Sequence, residues 1–135
     1  MIFVDTSYVV ALVNRRDQWH PRAMAWSRAI AEPLIATEYV LWECVNFLSS
    51  PSDREKAHVV ANYLRSDSSV ELVSASSELL DAGLKLHASR HDKSWSLTDC
   101  VSFEVMRRHR LTKALAADDD FVQAGFDALL LREPH

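Results

Sequence analysis

Four short runs of strand character most narrow the choice of fold: IFVD at 2–5, LIAT at 34–37, VELV at 70–73 and LTKALAAD at 111–118. The first is apolar without alternation, the pattern of a strand buried on both faces. The stretches between the runs keep helical spacing instead. Tyr8, Val9, Leu12 and Val13 share one helical face, and Asn14 to Asp17 is polar enough to end that helix. His20-Pro21 opens another, with Ala23, Trp26, Ala29 and Ile30 as its stripe, and Glu32-Pro33 stops it because the residue before proline disfavours helical backbone. TEYVLWECVNFLSS is helical from Glu38, with Val40, Leu41, Cys44, Val45, Phe47 and Leu48 on a broad buried face. Asp53 to Arg65 is an amphipathic helix, Ser76 caps one running to about Arg90, and a further helix runs from SLTD through Arg110. Phe126 to Leu131 closes the pattern as a short final strand. Strands separated by helices build βαβ units, hence an α/β fold with a mostly parallel sheet and helices on both faces.

A chain of 135 residues, 48% hydrophobic and 25% charged, with only two Gly and four Pro, is expected to form one domain over 1–135 with short connections. It opens without the charged region and cleavage site of a secretory leader and has no run long enough to span a bilayer, so a cytoplasmic location is expected. Cys44 and Cys100 are too few for a disulfide framework and lie in no zinc-type cluster, which leaves them as small core residues. The net charge of −4 disfavours a phosphate-rich partner at first sight. Setting four acids aside as a metal site, however, leaves 15 acidic side chains against 15 basic ones.

In a parallel sheet, ligands gather beyond the carboxyl ends of the strands. Asp5 and Asp118 fall at two such ends. Glu43 interrupts an apolar helix, with Asn46 three residues later and Tyr39 four earlier, and Asp99 begins a helix after Ser96-Leu97-Thr98. Each has a plain alternative. Asp5 or Thr6 can cap a helix, Glu43 can sit at the edge of an apolar face, and Asp99 can favour a helix dipole with Ser96 or Thr98 as cap. Asp118-Asp119-Asp120 can be the solvated start of a short helix. Hard carboxylate oxygens gathered together are also what Mg²⁺ or Mn²⁺ requires.

VDTS at 4–7, TEYVLWECVNFL at 37–48, SLTDCVSFEVMRRH at 96–109 and ALAADDDFVQAGF at 114–126 resemble, in order and spacing, the four motif regions of PIN-domain ribonucleases, specifically VapC-like toxins. The resemblance implies a three-layer α/β/α sandwich and divalent-metal-dependent cleavage of RNA by a toxin that is usually a dimer held inactive by an antitoxin. It assigns Asp5, Glu43, Asp99 and Asp118 to the acidic metal-binding quartet, and Ser7 and Asn46 to supporting polar positions. The run of three acids departs from the family's usual single Asp. Asp118 is preferred because it falls earliest, Asp120 is a second candidate as ligand or cap, and Asp119 is expected to face solvent.

Competing readings are a catalytically silent binding module of the same fold and a metal-dependent phosphatase with an Asp nucleophile. The phosphatase motif carries a second Asp two residues on, where this chain has Ser7. Arg107, Arg108, Arg110 and Lys113 form the densest basic cluster but sit at a helix C-terminus, which cations favour anyway. Arg15, Arg16 and Trp19 can contact a nucleic-acid backbone or stack a base, or be ordinary surface. His87 and His91 are spaced i, i+4, near a helix end.

Overall fold

The computed structural model describes all 135 residues. Five strands, β1 (Ile2–Val4), β2 (Leu34–Thr37), β3 (Val70–Val73), β4 (Lys113–Leu115) and β5 (Asp127–Ala128), form one sheet in the order β3-β2-β1-β4-β5. Every pairing is parallel, so the sheet is wholly rather than mostly parallel. From β1 the chain steps outward to β2 and β3, then returns to place β4 on the other side of β1. The order therefore reverses between β1 and β4.

Right-handed crossovers send the connecting helices to opposite faces on either side of that reversal. One group is α1 (Thr6–Val13), α2 (His20–Ala29), α3 (Glu38–Phe47) and α4 (Arg54–Ser66), packed on one another through α1·α2, α1·α3 and α3·α4. The other is α5 (Ser77–Ser89), α6 (Leu97–Arg108) and α7 (Asp119–Gln123), joined through α5·α6 and α6·α7. Contact between α3 and α6 links the two groups.

The sheet supplies the centre of the core. Phe3, Val4, Ile35, Ala36, Ala114 and Leu115 are all fully buried, which is why their runs lack the alternation of a half-exposed strand. A T-shaped stack of Trp95, Phe103 and Phe121 fills the space between α6 and α7. Helix α5 approaches α6 closely at Gly83, where an added Cβ would stand 2.5 Å from a methyl of Val101. Cys44 and Cys100 are buried, as their small size and apolar neighbours suggest.

Two strand readings are corrected. The last strand covers only Asp127–Ala128, not 126–131, because Leu129–Leu131 turns into a 3-10 helix that buries Leu129 and Leu130 together. The fourth strand covers Lys113–Leu115 rather than all of 111–118. Leu111 is still tied to the end of α6 through Met106, and Ala117 gives its N–H to the Ser7 hydroxyl instead of a neighbouring strand.

Candidate metal centre at the carboxyl edge of the sheet

The crevice at the β1/β4 reversal is the topological switch point of the sheet, where helices leaving adjacent strands diverge and open a cleft. Asp5 directly follows β1, and Ala116-Ala117-Asp118 follows β4. Glu43 reaches the same place from the second turn of α3, and Asp99 from the first turn of α6. The resulting open cleft, about 650 Å³, is lined by Asp5, Glu43, Asp99, Asp118 and Asp120 together with Ser7. The chain thus brings acids from four separate segments into one cavity. None of the five carboxylates takes part in an ion pair with Lys, Arg or His.

Asp5 is both a cap and a cleft residue. It is the N-cap of α1, and its Oδ2 accepts from the Ser7 amide at 3.1 Å and the Ser7 hydroxyl at 2.6 Å. Capping therefore falls to Asp5 itself rather than to Thr6 or Ser7. Ser7 instead joins two strand ends, because its Oγ also accepts from Ala117 N at 3.1 Å and so ties the end of β1 to the end of β4. Asp99 likewise combines both readings. Ser96 Oγ accepts from Asp99 N at 3.0 Å and Asp99 Oδ2 accepts from Ser96 N at 3.2 Å, a reciprocal capping box. Asp118 occupies the N-cap position of α7, yet its side chain makes no capping hydrogen bond.

The acids press on one another. Burial, opposed by the Ser7 hydrogen bonds and reinforced by the charges of Asp118 and Glu43, raises Asp5 to about 6. Burial followed by the charge of Asp5 raises Asp99 to about 7. Asp118 is raised as well, first by burial and then by Asp120. Such an arrangement gives up carboxylate solvation without a compensating cation in the fold.

Carboxylate oxygens of Asp99, Asp118 and Asp120 all lie within 4.8 Å of one another. This donor set fits a hard divalent cation, which takes oxygen ligands and relieves like-charge repulsion. The hydroxyl of Thr6, buried in the cleft wall, has no hydrogen-bond partner and adds a further oxygen to this region. Asp120, the second candidate by sequence, joins the tight cluster with Asp118, while Asp119 is exposed and bonded to Gln123. Asn46 is exposed and does not line the cleft. Its place beside Glu43 is taken by Phe47, which is 63% exposed instead of buried. Asp17, Trp19 and Ser96 also line the cleft, and sequence does not mark them as metal-site residues, since each reads as ordinary loop or cap chemistry.

The remaining polar clusters resolve into structure. Arg107 and Arg108 pair with Glu104, Arg108 also with Glu78, and Lys113 with Glu32. They stand at the end of α6 and the start of β4, away from the acids. Helix α5 ends at Ser89, so His87 and His91 are not on one helix, and both are exposed.

A doubly wound parallel sheet with a cluster of unpaired carboxylates at its switch point defines an α/β protein with a candidate divalent-cation site. More specifically, the chain belongs to the PIN-domain family, whose profile matches residues 2–127. The 23S rRNA-specific endonuclease VapC20 of Mycobacterium tuberculosis, in two strains, is 30% identical over 126 residues, covering 93% of this chain and 95% of that protein. The crystal structure of M. tuberculosis VapC20, a sarcin–ricin-loop-cleaving toxin, superposes with a TM-score of 0.89 at 27% identity, covering 95% of this chain and 98% of that one. FitAcB from Neisseria gonorrhoeae shares the fold with a TM-score of 0.68 at 17% identity, over 94% of this chain and 95% of its own. No helix is long and apolar enough to cross a membrane.

Proposed function

We propose that this protein is a divalent-metal-dependent endoribonuclease and the toxin of a toxin–antitoxin pair, with residues 1–135 acting as one domain. The observation that carries the reading is the set of unpaired acids at the switch point of a PIN-domain chain. Kinship with a 23S rRNA-specific endonuclease makes ribosomal RNA, and its sarcin–ricin loop in particular, the first substrate to test.

Asp99, Asp118 and Asp120 hold the ion in this reading, with Asp5 behind them and Glu43 closing the cleft from α3. A bound Mg²⁺ or Mn²⁺ supplies a water of lowered pKa and neutralises charge building on the phosphodiester. The chain's own part is positioning. Ser7 fixes the Asp5 carboxylate through two hydrogen bonds, and the capping box fixes Asp99, so both acids are oriented before substrate arrives. The reaction is hydrolysis, in which water attacks phosphorus and the bond to the leaving ribose oxygen breaks. No covalent nucleophile is called for: the Ser7 hydroxyl is engaged on both sides and Cys44 is buried.

The antitoxin and a second copy of the chain are the protein partners in this reading, and the cytoplasm is the compartment. Trp42 on α3 and Val59 on α4, 73% and 64% exposed, are apolar side chains that a protein partner would cover.

The test is cleavage of labelled total RNA by protein freed of co-purified partner, with Mg²⁺, Mn²⁺ or chelator. Fragments that require the ion are expected. Asp99→Asn is expected to lower the rate about a thousandfold, the scale of losing one group that offsets developing charge. Asp119→Asn, outside the cleft, is expected to cut like wild type. Intact RNA in every lane from folded, ion-binding protein overturns the general ribonuclease reading.

A further inference from the structure

Beside the acid cleft lies a second opening of about 690 Å³ with a different character. Its walls include Asn14, Arg15, Arg16, Ser52, Asp53 and Lys56, and only one of its lining residues is hydrophobic. The α1–α2 connection borders both openings, and successive stretches of α3 and the α3–α4 turn border one each. On one side, residues 14–16 of the α1–α2 connection line the basic groove and residues 17–19 line the acid cleft. On the other, Glu43 and Phe47 of α3 face the acids, while the α3–α4 turn and the start of α4 face the arginines. The two openings thus meet along the α1–α2 connection, where Arg16 lines one and Asp17 the other.

Arg15 and Arg16 are exposed and make no ion pair, unlike Arg107, Arg108 and Lys113. Lys56 is held only loosely by Asp53, at 3.7 Å. The loop that carries the two arginines is stiff. Asn14 Oδ1 accepts from Arg16 N at 3.1 Å, Asp17 Oδ1 accepts from Trp19 N at 2.8 Å, and Asp17 O accepts from His20 N at 3.0 Å. Two free guanidinium groups are thereby presented next to a cleft whose own charge repels phosphate. On the acid-cleft side stands Phe47, its ring open to solvent. A basic groove with an exposed aromatic ring is the combination that holds single-stranded nucleic acid, phosphates on the cations and a base on the ring.

We infer that the two openings form one single-stranded RNA track in which Arg15 and Arg16, aided by Lys56, bind phosphates flanking the scissile one and Phe47 stacks a neighbouring base. The inference rests on the ribonuclease reading and extends it to how substrate is held. With a net charge of −4, the chain offers RNA no overall attraction, and the basic groove supplies a local one.

The experiment compares wild type with Arg15→Ala/Arg16→Ala, Arg15→Lys/Arg16→Lys, Phe47→Leu, Phe47→Trp and the control Arg107→Ala/Arg108→Ala. The probe is a labelled RNA oligonucleotide carrying the sarcin–ricin loop sequence, followed both by cleavage in Mn²⁺ and by fluorescence anisotropy over a salt series. The alanine pair is expected to raise KM and Kd about tenfold with kcat unchanged, and to flatten the log–log salt dependence by about 1.4, two phosphate contacts at about 0.7 each. The lysine pair is expected to restore most of the salt slope. Phe47→Leu is expected to weaken binding about tenfold and Phe47→Trp to preserve it. An alanine pair that binds with wild-type Kd and salt slope overturns the track, as does an equal loss in the Arg107/Arg108 control. Wild-type protein that binds but cuts no RNA counts against the ribonuclease reading alone, since the anisotropy arm still decides the track.

Discussion

The two edges of the parallel sheet handle charge in opposite ways. At the amino edge, opposite charges meet. Glu32 takes the N-terminal ammonium at 3.7 Å and Lys113 Nζ at 3.2 Å, and Arg132 pairs with Asp127 at the start of β5. At the carboxyl edge, Asp5, Glu43, Asp99, Asp118 and Asp120 converge without one cation among them. A fold seeking stability alone would have balanced both. The first edge is finished within the chain, whereas under the proposed function a divalent ion and a polyanion complete the second. Functional sites are where such local inconsistency is tolerated.

The contrast is broken most directly by pH. Asp5, at about 6, and Asp99, at about 7, titrate above the ordinary carboxylate value of 3.8. Between those values the native state binds more protons than the unfolded chain, so stability falls as pH rises from about 4 to 7. The shift of Asp5 alone corresponds to about 3 kcal/mol. In chelator, a melting temperature roughly 10 °C lower at pH 7.5 than at pH 5 is expected, with Mn²⁺ restoring most of the loss at the higher pH. Asp5→Asn should flatten the curve. A chelated protein whose melting temperature stays level or climbs over this range would place the burden of the acids elsewhere.

Ser7 sharpens the comparison from inside the site. Ser7→Ala removes a 2.6 Å hydrogen bond from a buried carboxylate and strands the Ala117 amide. A loss of about 2 kcal/mol is expected from the unpaired groups. Because the Ser7 bonds hold the Asp5 pKa down, the variant should also move the stability transition to higher pH. Denaturant titrations at several pH values separate the two effects. A uniform offset at every pH would mean that Ser7 is only a structural link between β1 and β4.

How far the sequence foretold this edge depended on whether a residue's position or its neighbours' geometry mattered. Asp5 and Asp118 were legible because a buried strand followed by an acid marks the carboxyl end of a parallel sheet. Asp99 and Glu43 were legible as polar breaks, although capping explains Asp99 equally well, and the structure shows the cap and the cleft position in one carboxylate. Asp118 against Asp120 was not resolvable, because it turns on where α7 begins relative to β4. The exchange of Asn46 for Phe47 has a helical cause. Residues four apart are offset by about 40° and residues three apart by about 60°, so Phe47 lies more nearly above Glu43. Its apolar ring reads as core in a sequence, and nothing local reveals that this position of α3 opens onto the cleft. The topology that brings the four segments together was implied only by βαβ handedness, and the pairing of Arg107 and Arg108 with Glu104 by i+3 and i+4 spacing.

The smallest effect belongs to the edge that is already neutral. Glu32 is half exposed and holds two cations at once, a geometry that promises more on paper than surface ion pairs deliver. Water screens both pairs, and ordering the Lys113 side chain offsets much of the attraction. Glu32→Gln is therefore expected to cost less than about 1 kcal/mol, to lose what little effect it has in high salt, and to leave RNA cleavage untouched. Thermal melts at low and high ionic strength, alongside the cleavage assay, check it. Were Glu32→Gln to cost as much as Ser7→Ala, the amino edge would be a stabilising network in its own right, and internal neutrality would be as consequential there as the missing cation is at the opposite edge.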